Sequence, residues 1–579
     1  MAHDPYHHLH DEAYTAAFEG GFVGADEMVF MVGRARIPLS GSWQFVPDTF
    51  DEGLRQQWYR DPPSDPFALD LPRDCDWSGY RVEVPSVWNL NRPEWFHFEG
   101  SGWYSRDFIA PALVPGSRVL LRVGAANYLA RVFVNGAFAG AHRGGSTPFF
   151  IDVTPHLIAG TNTLRIQVEN RRAPDRVPMH HIDWFNYGGL FREVDLVVLP
   201  AAHVRDLRVC LTPEGVVRIT VVTSKDGRAD VRFLGREFTI DVGGGRASVE
   251  VAAPTELWSP DRPHMHPIEV RFVDDIIADR VGLRTVATCG TDILLNGEPI
   301  WLKGICCHED DAELGRVTSD ADLARRFDHV RALGANAVRL SHYPHHEKAA
   351  ALADERGILL IEEIPVYWAI DFTNPSTRSD ASNQLREMIR RDYNRASVIL
   401  WGVGNENADT DARLDFMGAL ADTARSEDDS RLITAACLIN RETFRVEDRL
   451  AASLDVIGFN EYFGWYERPL SRLRDLLDRT QVEKPLIITE TGADAVSGHA
   501  GSPGQLFSEA YQASVLSEQL EIATAAPNIQ GIFPWILYDF RTERRQTAIQ
   551  RGWNLKGLID RDKQRMKAAF HAVASLYKA

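Results

Sequence analysis

After Asn296-Gly297 the sequence settles into eight apolar runs separated by longer stretches of helical periodicity, and this alternation constrains the fold more than any other feature. The runs are IWLKGI (300–305), NAVRL (336–340), ILLIEE (358–363), VILWG (398–402), LITAA (432–436), DVIGFN (455–460), PLIITE (485–490) and GIFPWI (531–536). Between them lie segments such as SDADLARRFDHVRALG, where Ser319 is placed to cap a helix and Gly334 to end it. Strands alternating with helices mark βα units and a parallel sheet, and eight of them close most economically into a (β/α)8 TIM barrel. Chemistry in such a barrel is done at the C-terminal ends of the strands, so the residues just past each run become the candidates.

Those residues are His308, Ser341-His342-Tyr343, Glu362-Glu363, Asn405-Glu406, Asn460 with Tyr462, Glu490 and Trp535. Aromatic side chains with several carboxylates and few cations suit a neutral polyol such as a sugar ring. The fourth run, VILWGVGNEN, has the continuous hydrophobicity of a strand buried on both faces and delivers Glu406 at its end. The plain alternative is an exposed acid capping the next helix. Glu490 ends the seventh run, 84 positions later. Two carboxylates across a barrel mouth can act as acid and nucleophile in glycoside hydrolysis, with retention requiring a separation of about 5 Å. A charged Glu490 is expected to raise the pKa of Glu406, so that Glu406 holds a proton for the leaving oxygen while Glu490 attacks. Glu363 and Glu461 lack a strand-end neighbour like Asn405 and take supporting roles. A catalytic metal is not expected: CCHED lacks a His-x-His and no His-Glu-x-x-His occurs.

Upstream the pattern is different. From Phe22 to Pro200, short alternating segments such as SRVLLRV, ARVFVNGAFAG and NTLRIQVEN are broken by Gly, Pro and Asn, with Asn135-Gly136 as a hairpin turn. This reads as a jelly-roll β-sandwich (21–200). Near its end the loop HIDWFNYGG gathers polar and aromatic side chains suited to crossing a domain border. A smaller set of strands over 201–288 fits an immunoglobulin-like β-sandwich, and 289–579 is the barrel. Residues 1–20 read as a mobile tail in which histidines 3, 7, 8 and 10 have no structural role. A net charge of −18 argues against a nucleic-acid or anionic-membrane partner. Six unpaired cysteines, no signal-like start and no apolar run of about 18 residues point to a soluble, cytoplasmic protein.

Ordered motifs along the chain carry a family resemblance. LSGSWQF, VFVNG, GGSTPFFIDVTPHLIAG, DWFNYGGLFREVDLV, KGICCHEDDAELG, NRASVILWGVGNEN, GFNEYFGWY, PLIITETGAD and GWNLKGLID together resemble family 2 glycoside hydrolases, most closely the bacterial β-glucuronidases. The resemblance implies retaining exo-hydrolysis of a glycoside without a cofactor, in a homo-oligomer, dimer or tetramer. It implies Glu406 as acid/base, Glu490 as nucleophile, Asn405 on the 2-hydroxyl and Tyr462 beside the nucleophile. Asp183 would cross from the first domain to a sugar hydroxyl, and His308, His342, Tyr466 and Trp535 would line the pocket. Asn554 and Lys556, in NLK, would grip a C6 carboxylate, which suits a desolvated ammonium. The chain departs from the pattern with Gln550-Arg551 before NLK and a basic DFRTERRQ at 539–546, so Arg551 is expected to assist Lys556. EEIPVYW also occurs in β-galactosidases of the family. β-Galacturonidase, β-galactosidase and a non-catalytic carbohydrate-binding protein on the same fold therefore stand as the competing functions.

Overall fold

The computed structural model describes residues 18, 20–62 and 73–579. The expected mobile tail and its four histidines lie outside the described residues except for positions 18 and 20. The first sandwich packs a six-stranded antiparallel sheet against a four-stranded one around a core that includes Trp43, Tyr104, Val132 and Leu121. Its central hairpin joins Leu129–Val134 to Ala137–Arg143 through Asn135 (φ 52°) and Gly136 (φ 78°). Both turn residues are left-handed, the conformation that matches the twist of the flanking strands. The second sandwich has three strands facing four, with Val209, Ile219, Val231 and Phe272 among its buried residues.

All eight apolar runs become strands of one closed parallel barrel: Leu302–Cys307, Ala337–Leu340, Leu359–Glu363, Val398–Asn405, Leu432–Cys437, Val456–Asn460, Leu486–Thr491 and Ile529–Pro534. Ser319 and Gly334 bound the helix Asp320–Leu333 as expected. The Ser319 hydroxyl accepts from the Asp322 N–H (3.1 Å), and Gly334 takes φ 83° at the C-cap. Ile293 and Leu295, on a strand that precedes the barrel, share one apolar cluster with Leu302, Ala337, Leu359 and Val456, which begin barrel strands. The N-terminal end of the barrel is therefore plugged, and the C-terminal end is the face left for a ligand.

The first sandwich is fastened onto that end by buried ions. Arg192 donates to Glu309 Oε2 (2.8 Å) and to the Pro344 carbonyl (2.9 Å). Further on, the HIDWFNYGG loop lays Trp184 against His342, Tyr343 and Tyr367, while the Phe185 N–H donates to the Arg541 carbonyl (3.1 Å). A loop of one domain thus forms part of the wall of another.

Candidate active site

The fourth strand is buried along its whole length and needs its glycines for close packing. A Cβ on Gly402 would lie 2.6 Å from the Cβ of Glu363, and one on Gly404 2.6 Å from the Met417 methyl. The strand can therefore press against its neighbours and still end in two functional side chains. Glu406 follows it in the left-handed conformation (φ 52°), a strain found mainly where surrounding contacts over-determine a residue. Those contacts are its N–H to the Ala436 carbonyl (2.9 Å) and the Trp368 indole N–H to Oε2 (2.7 Å). Glu406 is half-buried.

Glu490, near the end of the seventh strand, is buried. Arg339 donates to its Oε1 (2.7 Å) and the Tyr462 hydroxyl to its Oε2 (2.5 Å). Arg339 projects from the second strand and is almost fully buried, so its charge must be met inside the protein. It also donates through Nε and Nη2 to Glu363 (3.0 Å each) and through Nη2 to Asn405 Oδ1 (2.8 Å). Burial opposes the charge on Arg339, but Glu363 and Glu490 outweigh it and raise its pKa. His342, whose Nδ1 lies 2.7 Å from Glu363 Oε1, is held well below the usual histidine range by burial and by Arg339. One cation thus faces two buried carboxylates with a neutral imidazole beside them. Burial pushes the Glu490 carboxyl up to about 7, against the pull of Arg339 and Tyr462 and helped by the charge of Glu406.

Asn405 lies between the two acids. Its Oδ1 accepts from Arg339 and from Asn460 Nδ2 (3.2 Å), which leaves Nδ2, 3.5 Å from Glu406 Oε2, as the donor for a ligand.

Glu406, Glu490, Tyr462, Tyr466, Trp535, Asp183, Asn554 and Lys556 line one cavity of about 460 Å3, the size of a sugar site. Lys556 is almost fully buried. It donates to Asp494 Oδ1 (2.6 Å) and to the Tyr466 hydroxyl (3.0 Å), so two of its three N–H groups are committed. Burial lowers its pKa, but Asp494 and Tyr466 more than reverse that, and Lys556 stays an ammonium at neutral pH. Asp183 enters from the first sandwich and accepts from Thr542 Oγ1 (2.9 Å) and Arg545 Nη2 (2.6 Å). A larger void of about 670 Å3, at the junction of the two sandwiches with the barrel, has no such pair of facing acids. Its carboxylates Asp26, Asp206, Glu347 and Asp392 are each bound to an arginine.

The comparisons with known proteins fit this geometry. Residues 286–578 match the family model described as "Glycosyl hydrolases family 2, TIM barrel domain", and residues 37–200 match "Glycosyl hydrolases family 2, sugar binding domain". The chain belongs to glycoside hydrolase family 2. It is 30% identical to a β-glucuronidase of Paenibacillus borealis, with 92% of this chain and 95% of the relative covered. It is 31% identical to the β-glucuronidase of Homo sapiens, with 92% and 89% covered. A solved structure of β-glucuronidase from Ruminococcus gnavus in complex with D-glucaro-d-lactam superposes with a TM-score of 0.85 at 27% identity, covering 96% of this chain and 99% of that one.

Two placements in this family 2 enzyme differ from the expectations drawn from sequence. Arg551 does not join Lys556: it is exposed, its Nε donates to the Ala548 carbonyl (3.0 Å), and it is absent from the cavity wall. The turn at Arg551 (φ 49°) and Gly552 (φ 84°) carries it outward, and Arg544 and Arg545 of the same loop line the cavity instead. His308 and His342 lie one layer deeper than the wall, His308 edge-on to Trp535 and His342 stacked on it, at centroid distances of 5.2 and 5.0 Å.

The reading of strand ends also passed over Arg339, Trp368 and Asp494. Arg339 had a signal, a lone charge inside the apolar NAVRL run, where a cation needs acids around it. Trp368 closes EEIPVYW, and Asp494 lies four residues past Glu490, but nothing local marks either as a partner of Glu406 or Lys556.

Proposed function

We propose that this family 2 enzyme removes terminal β-D-glucuronosyl groups with retention of configuration, by double displacement through a covalent sugar ester on Glu490. The observation that carries the choice of sugar is Lys556, a buried ammonium with one uncommitted N–H in the same cavity as Glu406 and Glu490. A C6 carboxylate is the group on a hexose ring that such a donor suits best. The names of the relatives support the same choice.

In the first step the ionised Glu490 attacks the anomeric carbon while Glu406 gives its proton to the departing oxygen. Asn405 and Arg339 bridge the two acids, and the second N–H of Asn405 Nδ2, the one not directed at Glu406, donates to the 2-hydroxyl as charge builds on the ring. Esterification removes the charge of Glu490. Glu406 then takes a proton from water, which attacks the opposite face of the sugar and releases it with its original configuration. All six cysteines are free thiols, four of them buried, which supports a reducing compartment such as the cytoplasm. Among the described residues no helix is long and apolar enough to cross a membrane.

The test of the sugar is hydrolysis of the 4-nitrophenyl β-glycosides of glucuronate, galacturonate and galactose. Glucuronide is expected to have the highest kcat/KM, and a dominant galactosidase activity overturns the proposal. The pH profile tests the nucleophile. A protonated Glu490 cannot attack, so kcat/KM is expected to fall as the pH drops through about 7. Tyr462→Phe removes a hydrogen bond that favours the ionised form. The acidic limb should therefore move upward by about one pH unit, the equivalent of a charged hydrogen bond of about 1.5 kcal/mol. A shift to lower pH argues against Glu490 as the titrating nucleophile.

A further inference from the structure

The cavity wall carries four cations: Arg441, Arg544, Arg545 and Lys556. Three of them already face an acid, Arg441 on Glu467, Arg545 on Asp183 and Lys556 on Asp494. Arg544 has no carboxylate partner among the described residues. It is exposed, and its guanidinium lies over the Trp368 ring at 4.5 Å from the centroid. The indole of Trp368 donates to Glu406 Oε2, and its backbone N–H is bound to the Asn405 carbonyl (2.9 Å), so it is fixed in place.

This order of groups has a direction. On the proposed mechanism the sugar that remains on the enzyme is held by Glu490 and Lys556, buried members of the cavity wall, whereas the half-buried Glu406 hands its proton to the oxygen of the group that leaves. Whatever lies beyond Glu406 on its exposed side flanks the leaving group. Only the six residues 369–374 separate Trp368 from the helix Pro375–Asp392, so no long loop intervenes in sequence there. An uncommitted guanidinium at that position attracts an anion. In a chain of net charge −18 it also offsets the general repulsion that a negatively charged substrate meets on approach.

We propose that Arg544, seated on Trp368, forms a leaving-group subsite that favours aglycones bearing a carboxylate. The proposal rests on the assignment of Glu406 as the acid. The test compares two aryl β-glucuronides of nearly equal shape, one with a 4-carboxyphenyl leaving group and one with its methyl ester, in the wild type and in Arg544→Ala. The ratio of kcat/KM for acid over ester is expected to fall by at least about threefold in the variant, the size of an exposed ion pair. It should fall likewise in the wild type when ionic strength is raised. An unchanged ratio, including an equal loss on both substrates, overturns the subsite and assigns Arg544 no part in recognising the aglycone's charge. If glucuronides prove not to be the substrate, the glucuronide proposal falls, and the same acid and ester pair is measured on the sugar the enzyme does accept. The two failures therefore give different results.

Discussion

Glu490→Gly is expected to lower kcat/KM on every substrate by on the order of 10⁴-fold or more, because on the proposed mechanism the variant lacks the group that forms the covalent bond and keeps only binding and orientation. Glu406→Ala should behave differently. Its loss should fall within the roughly 10²- to 10⁴-fold range of general acid–base catalysis, and it should shrink for phenols acidic enough to leave unprotonated. Azide separates the roles further. In Glu490→Gly it can occupy the space of the lost carboxylate and attack the sugar once, giving an α-glycosyl azide. In Glu406→Ala it attacks the sugar ester on Glu490 and gives the β-azide. Product stereochemistry read by NMR checks both, and exchanged stereochemistry would reverse the two assignments. Neither substitution should unfold the chain. Arg339 keeps Glu363 as a charge partner when Glu490 is removed, and Glu406 is half-buried at the mouth.

What could be foreseen in this site follows from how local the cause is. The barrel was legible because each strand declares itself in a short, mostly apolar run, and the acids were legible because barrel geometry places strand ends at the mouth. Burial was not legible. Glu406 and Glu490 occupy similar positions after their strands, yet the left-handed turn at residue 406 carries one toward solvent while the other stays inside on Arg339. Burial, which pushes the Glu490 carboxyl up, is thus a property that a count of neighbouring charges along the sequence does not reveal. Arg551 fails for a related reason. Nearness to NLK in sequence says nothing of the turn between them, and the loop is anchored instead by Asp183, 362 positions before Arg545. Contacts of that span depend on how whole domains dock, which hydrophobic periodicity does not encode.

The docked arrangement also sets the terms on which Lys556 can be tested. Lys556→Ala is expected to lower kcat/KM for glucuronides by on the order of 10³-fold, in the range for truncating one member of a desolvated charge pair. Part of any loss is structural, because Asp494 is left as a buried charge without its cation, at a cost of about 3–5 kcal/mol in stability. Gln550, which also donates to Asp494, offers a hydrogen bond but no charge. The double variant Asp494→Asn with Lys556→Met removes both charges and keeps the volume, and its melting temperature should recover most of what Lys556→Ala loses. Activity on glucuronides should not recover, since the third N–H of Lys556 is gone, while the ratio of galactoside to glucuronide hydrolysis should rise. A double variant that regains both stability and glucuronidase activity would show that Lys556 acts only by neutralising Asp494. The C6 carboxylate would then have to be held by the remaining cations of the wall, Arg441, Arg544 and Arg545.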